Sequence, residues 1–127
     1  MIKRPMPIAR LGSISLDCAE PEPLAQFWAE LLGGVVAFSS DDFVAVQLPH
    51  VWLSAVRVEN YQSPSWPDGD VAQQIHLDLA VENLEEAQAG ALSLGARLAS
   101  TQPSPDRWRV LLDPAGHPFC LTSLIPE

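Results

Sequence analysis

At 127 residues, 47% of them hydrophobic, the chain has the length of one domain and enough apolar material to remove about two thirds of its unfolded surface from water. Sixteen acidic residues against seven basic ones give a net charge of -9. That is the wrong sign for a phosphate backbone or an anionic membrane surface, so neither nucleic acid nor membrane is expected as a partner. Cys18 and Cys120 are expected as free thiols, because a core of this size needs no staple. The basic start lacks the apolar core of a signal peptide and no run reaches the ~18 apolar residues of a membrane span, which predicts a cytoplasmic protein.

Residues 1–10, with Pro5 and Pro7, read as an arm leading to a first strand at about 11–18. Pro21 and Pro23 open a helix, where a missing N–H costs little. Leu24, Phe27, Trp28, Leu31 and Leu32 then form one helical stripe, which makes Trp28 a core residue. After Gly33 and Gly34 come three apolar runs, 35–38, 43–48 and 51–58, separated by Asp41-Asp42 and Pro49-His50. Such separators suit hairpins, so the first half is β-α-β-β-β. Residues 59–72 hold turn formers without periodicity and read as the connection between halves. Trp66 within it is either an anchor that pins the loop or a lid over a ligand.

Ile75, Leu77, Leu79 and Val81 alternate with Gln74, His76, Asp78 and Ala80, the period of a strand with one apolar and one polar face. Asn83 and Glu86 give a helix start with a capping box; Leu84, Ala87, Ala91 and Leu94 repeat at helical spacing until Gly95 stops them. Strands follow at 97–100, 108–112 and 117–124, the last two joined by the turn Asp113-Pro114-Ala115-Gly116. In the second of these, Trp108 alternates with Arg107 and Arg109 and faces away from both. The second half is again β-α-β-β-β.

The halves are copies. Sliding the first forward by 63 positions sets Ser13 on His76, Leu16 on Leu79 and Cys18 on Val81. The predicted fold class is α+β: two tandem βαβββ modules, about 11–58 and 73–124, joined by loop 59–72 in a single domain. Each module has a helix on only one face of its sheet, so the other faces curve around a cleft. By strand parity Ser13, Ser15 and Asp17 face that cleft from the first module. His76, Asp78, Cys120 and Thr122 face it from the second.

The segments LDCAEPEPLAQFWAELLG, QQIHLDLAVENLEEA and WRVLLDPAGHPFCLTS resemble the vicinal oxygen chelate superfamily, the glyoxalase, bleomycin-resistance and extradiol-dioxygenase group. The likeness is greatest to its small glyoxalase-like proteins, and it implies a homodimer. It also implies four metal-ligand positions, which fall on Ser13, on His76, on Cys120 and within 51–58. The last stretch, VWLSAVRV, holds neither carboxylate nor imidazole, though His50 and Glu59 stand just outside it. Three protein donors are the usual minimum for a divalent ion. No metal at the inherited positions and no cofactor are therefore expected.

These residues predict a small-molecule-binding glyoxalase-like protein without the usual metal site. Its ligand would be a small organic molecule, cationic or aromatic, held in an acidic cleft by Ser13, Ser15, Asp17, His76, Asp78, Cys120 and Thr122. The alternative is a lyase or isomerase centred on His76, either an acid–base catalyst or a metal-dependent one completed by His50, Glu59 or a partner chain. A third reading is a dimerising scaffold with an inert cleft.

Overall fold

A computed structural model describes residues 6–7, 9–67, 69–71 and 75–126. Two of the sequence expectations, the arm over residues 1–5 and the strand start at 73–74, lie outside the described residues. The element order is β1 (Ser13–Cys18), α1 (Pro21–Leu32), β2 (Val35–Ser39), β3 (Phe43–Gln47), β4 (Trp52–Arg57), then β5 (Leu77–Ala80), α2 (Leu84–Ser93), β6 (Arg97–Leu98), β7 (Trp108–Leu112) and β8 (Pro118–Thr122). This is β-α-β-β-β twice, as the periodicity predicts. Most strands are shorter than the runs that signal them, β6 most of all, while β7 matches its run and β2 extends one residue beyond it.

Helix α1 begins on Pro21, which needs no amide partner there, and ends on Gly33 at φ 72°, a left-handed conformation that glycine adopts without strain. In α2 the Asn83 side chain accepts the Glu86 amide at 2.9 Å, and Gly95 at φ 117° follows its last turn. A glycine with positive φ follows each helix, directly after Leu32 in the first copy and one residue later in the second, where Leu94 caps α2 in a right-handed conformation.

Each module folds into its own four-stranded mixed sheet, ordered β1-β4-β3-β2 and β5-β8-β7-β6. In both, the first strand runs parallel to the last and lies at the sheet's edge. Each first strand reaches its partner through a helix and two hairpinned strands, the long crossover that a parallel pair requires. Val36 and Phe38 flank a register shift between β2 and β3, so Phe38 returns to the face opposite the helix.

One core spans both modules. Leu24, Phe27 and Trp28 of α1 pack with Val44, Val46 and Leu53 of their own sheet and with Leu111, Phe119 and Leu121 of the other. Phe27, Trp28 and Phe119 form an aromatic cluster with centroids 5.1 to 6.0 Å apart. Each such side chain contributes roughly 1.5–3 kcal/mol by leaving water. Among the described residues two polar side chains are buried, Thr122 and, completely, Asp113. Its Oδ2 accepts the Trp28 indole N–H at 2.9 Å, and its Oδ1 accepts the amides of Ala115 and His117, each at 2.9 Å. The carboxyl therefore shapes the hairpin of one module and anchors the helix of the other, and burial raises its pKa.

The connecting loop is tied to the same hairpin. Tyr61 donates its hydroxyl to Ala115 O at 2.7 Å, and Ser63 lies so close that a Cβ on Gly116 would meet its side chain at 2.6 Å. Gly116 is at φ 89° as well. His117 is more than a turn residue: its Nε2 lies 2.6 Å from Asp17 O and 3.3 Å from the Tyr61 hydroxyl. It bridges β1, the loop and the second hairpin.

Candidate functional site

The strand parity expected from the sequence holds. Along β1, Ser13, Ser15 and Asp17 are exposed while Ile14, Leu16 and Cys18 turn inward. In β5, Leu77 and Leu79 pack on the shared core and Asp78 stays exposed. His76, just before β5, is on the same side as Asp78: its Nε2 and Asp78 Oδ1 are 3.1 Å apart. Cys120 stands directly opposite Asp78 in the parallel ladder. The three potential donor atoms of His76, Asp78 and Cys120 all lie within 4.8 Å of one another.

The seven predicted cleft residues do not share one hollow. Ser13, Ser15 and Asp17 line a cavity of about 600 Å³ between β1 and the start of β5, which Ile75, Leu77 and Pro118 wall with apolar surface. Asp78, Cys120 and Thr122 line a second cavity of about 360 Å³ over the second sheet, with Trp66, Trp108 and Pro103 as its other walls. Among the described residues, His76 alone borders both. Thr122 is largely committed to structure, since its hydroxyl donates to Arg107 O at 3.0 Å and accepts the Leu124 amide at 3.2 Å.

Three residues that wall the second cavity, two tryptophans and a proline, had no cleft position fixed by strand parity alone. Trp66 comes from the connecting loop, where Ser65 N donates to Val71 O and the Ser65 hydroxyl accepts the Val71 amide, both at 2.8 Å. This closure presents the indole to His76; the rings stack at 5.6 Å between centroids and 14° between planes. Trp66 packs with Trp108 against Ala99, Val110 and Cys120. Trp108 is therefore the side of β7 that reaches the cleft. Arg109 points the other way, to Gln88 and Glu85 of α2 at 2.9 and 3.0 Å. Pro103 completes the wall. The signal for Trp108 was its alternation with the arginines, which fixed its parity without saying which face was which.

Burial and the carboxylate of Asp78 push the Cys120 thiol up to about 11. The thiol is consequently protonated at neutral pH, a hydrogen-bond donor facing an acidic neighbour rather than a nucleophile. Asp78 stands between two groups able to donate to it, the thiol and the imidazole.

The pairing registers identify the fourth inherited ligand position. Ser15 pairs with Ser54 as Asp78 pairs with Cys120, so Ser54 is the counterpart of Cys120 and Ser13 that of His76. Two of the four positions are neutral hydroxyls, and an ion placed between modules would have no charged donor from the first. His50 and Glu59 do not join the donor cluster found among the described residues. The remaining trio offers nitrogen, oxygen and sulfur from the second module alone, with an imidazole nitrogen engaged by Asp78. The residues present do not fit the inherited four-donor site.

Two βαβββ modules in tandem, with the ligand positions on the first and last strand of each, define the vicinal oxygen chelate superfamily. The chain belongs within it to the family of the glyoxalase-like domain, whose model matches residues 13–122. Among solved structures it is similar to the fosfomycin resistance protein FosX of Mesorhizobium loti, at 14% identity and a TM-score of 0.70 over 94% of each chain. A glyoxalase/bleomycin resistance protein/dioxygenase family enzyme of Burkholderia phytofirmans matches at 15% identity and 0.70, over 92% of this chain and 100% of that one. A glyoxalase-related enzyme of Fulvimarina pelagi matches at 18% and 0.67, over 91% and 88%. At these identities the likeness shows the fold alone. A comparison with curated proteins finds no match. Among the described residues no helix is long and apolar enough to cross a membrane.

Proposed function

We propose that this chain is a small-molecule-binding protein of the glyoxalase-like family that takes a planar, cationic organic ligand into its cleft without the family's four-ligand ion, as a homodimer in the cytoplasm. The observation that carries the reading is the stack of Trp66 on His76 beside the Asp78 carboxylate. An indole face attracts a cation by its quadrupole, a carboxylate neutralises one, and Trp108 with Pro103 supplies apolar walls for a ring. The net charge of -9 raises the local concentration of cations and repels anions. A cavity of about 360 Å³ lies within the range of small-ligand sites. Titration of tryptophan fluorescence with an aminoacridine-type cation tests this. Saturable quenching at one ligand per chain, weakened by Asp78→Asn, is expected; equal affinity for a neutral analogue of the same ring would rule it out.

A second reading is favoured by the 3.1 Å approach of His76 Nε2 to Asp78: an acid–base lyase or isomerase. With Nε2 held by the carboxylate, Nδ1 is left to take a proton from a bound substrate and return it. Turnover that is lost in His76→Ala, with ligand binding retained, would select this reading over the first. A metal-dependent version would draw on His76, Asp78 and Cys120, and elemental analysis of protein purified without an affinity tag decides it.

A further inference from the structure

We infer that the ligand is bipartite: a planar aromatic head in the Trp66–Trp108 cavity over the second sheet, and a tail ending in an ammonium or guanidinium group that passes His76 into the larger cavity beside β1, where Asp17 receives it. This rests on the binding reading above and adds the second chamber and the class of ligand that fills both.

The two cavities differ in chemistry while sharing a wall. The smaller is bounded by two indoles and a proline, with its polar groups gathered at Asp78, Cys120 and Thr122. The larger, about 600 Å³, has aliphatic sides from Leu11, Ile75 and Leu77 and a polar strip of Ser13, Ser15 and Asp17. Among the described residues, His76 is the one that borders both. A compact ring could fill the first and would leave the second untouched.

Asp17 is the charged acceptor of the larger chamber. Its backbone oxygen takes the His117 ring at 2.6 Å, whereas its carboxylate is in neither of the two ion pairs among the described residues, His76–Asp78 and Arg109–Glu85. Ser13 and Ser15 stand at alternate positions of the same strand face, where their hydroxyls accept from the remaining N–H donors of a cationic tail. The basic groups lining this chamber are His76, already paired with Asp78, and His117, whose Nε2 is turned to Asp17 O. Aliphatic walls suit the methylene stem of an alkylamine, and the carboxylate at the end suits its charge.

The test compares three probes by isothermal titration: a bare aminoacridine cation, the same ring bearing a primary aminopropyl tail, and the same ring bearing a carboxylate tail of equal length. A charge-assisted hydrogen bond raises affinity about tenfold, so the amine-tailed probe is expected to bind about tenfold tighter than the bare ring and the carboxylate-tailed one more weakly than either. Asp17→Asn should reduce the affinity of the amine-tailed probe about tenfold more than that of the bare ring, while Trp108→Ala should weaken both by similar factors. A tail that brings no gain, or a gain that persists in Asp17→Asn, overturns the two-chamber inference and leaves the simple ring-binding reading standing. Failure of all three probes to bind overturns both. The carboxylate-tailed probe needs no variant, so the outcome does not depend on the folding of any mutant.

Discussion

The two modules are alike on the faces that carry helices and unlike on the faces that do not. Under the helices, apolar positions repeat: Leu16 and Leu79, Leu53 and Phe119, Val46 and Leu111 all pack into the shared core. On the open faces, His76, Asp78 and Cys120 of the second module correspond to Ser13, Ser15 and Ser54 of the first. An imidazole, a carboxylate and a thiol face three hydroxyls. The surroundings differ in the same sense, since Trp66 covers the second face while the first leaves Trp52 and the stacked Phe38–Phe43 pair exposed, the latter at 5.0 Å. Packing density penalises any change of volume or polarity under a helix. The open face bears no such constraint, and there the copies have diverged, the second module gathering an imidazole, a carboxylate and a thiol where the first holds hydroxyls beside Asp17.

The strongest disruption of this pairing would come where the modules are joined. Trp28→Ala removes the centre of the aromatic cluster and the partner of buried Asp113, and is expected to cost about 3–5 kcal/mol in urea unfolding. Trp28→Phe restores most of the volume and still leaves Asp113 Oδ2 without its donor, a loss of about 1–3 kcal/mol. Wild-type protein should unfold in one transition by fluorescence and circular dichroism alike; two separated transitions would mean that the copies are independent units.

Adding metal donors to the first module is the next largest change. Ser13→His combined with Ser54→Glu supplies the two donors that the first module lacks, and zinc at a hundred times its Kd should then stabilise the variant by about 2.7 kcal/mol. Thermal shift against zinc reads this directly. An equal shift in the wild type would show that the serines are not what keeps an ion out.

The aromatic cover comes third. Trp66→Ala should weaken a cationic aromatic ligand by about 1–2 kcal/mol, read by calorimetry, through loss of the ring and its cation–π contact. Trp52→Ala, on the open face of the other module, should leave that affinity as it was; equal losses would erase the functional distinction between the faces.

A smaller effect distinguishes Cys120 from its counterpart Ser54. The thiol pKa rises from 9.0 to about 11 in the folded chain, so between those values the unfolded chain gives up a proton that the folded chain keeps. Ionisation thus favours the unfolded state, and stability falls as the pH climbs through that window. Cys120→Ser abolishes this component, and the gap between its urea midpoint and that of the wild type should narrow or invert from pH about 9 to about 11. Ser54→Ala, by contrast, should change stability by no more than about 0.5 kcal/mol at any pH, as a partly exposed hydroxyl with no side-chain partner among the described residues does.

Much of this molecule could be read from residue order, because the information was local. Alternation of period two placed Ser13, Ser15 and Asp17 on one side of β1 and His76 and Asp78 on one side of the second copy. Helical spacing put Trp28 in the core, and glycine after each apolar stripe ended both helices. The duplicated pattern gave the fold class, since two identical amphipathic units bury their apolar faces only against a common core. What the chain order left open was every relation across long separations. Asp113 read as a turn former and His117 as its neighbour; only the packing of α1 against the second hairpin made one a buried acceptor for Trp28 and the other a bridge to Asp17. Parity told that Trp108 and the flanking arginines point apart, but the position of α2 decided which side was which. Trp66 was ambiguous because a loop has no period, and its place over His76 is set by the loop's closure. The division of the seven expected cleft residues between two cavities, with His76 in both, depends on where the edges of two sheets lie relative to each other, a distance that no local rule of chain geometry determines.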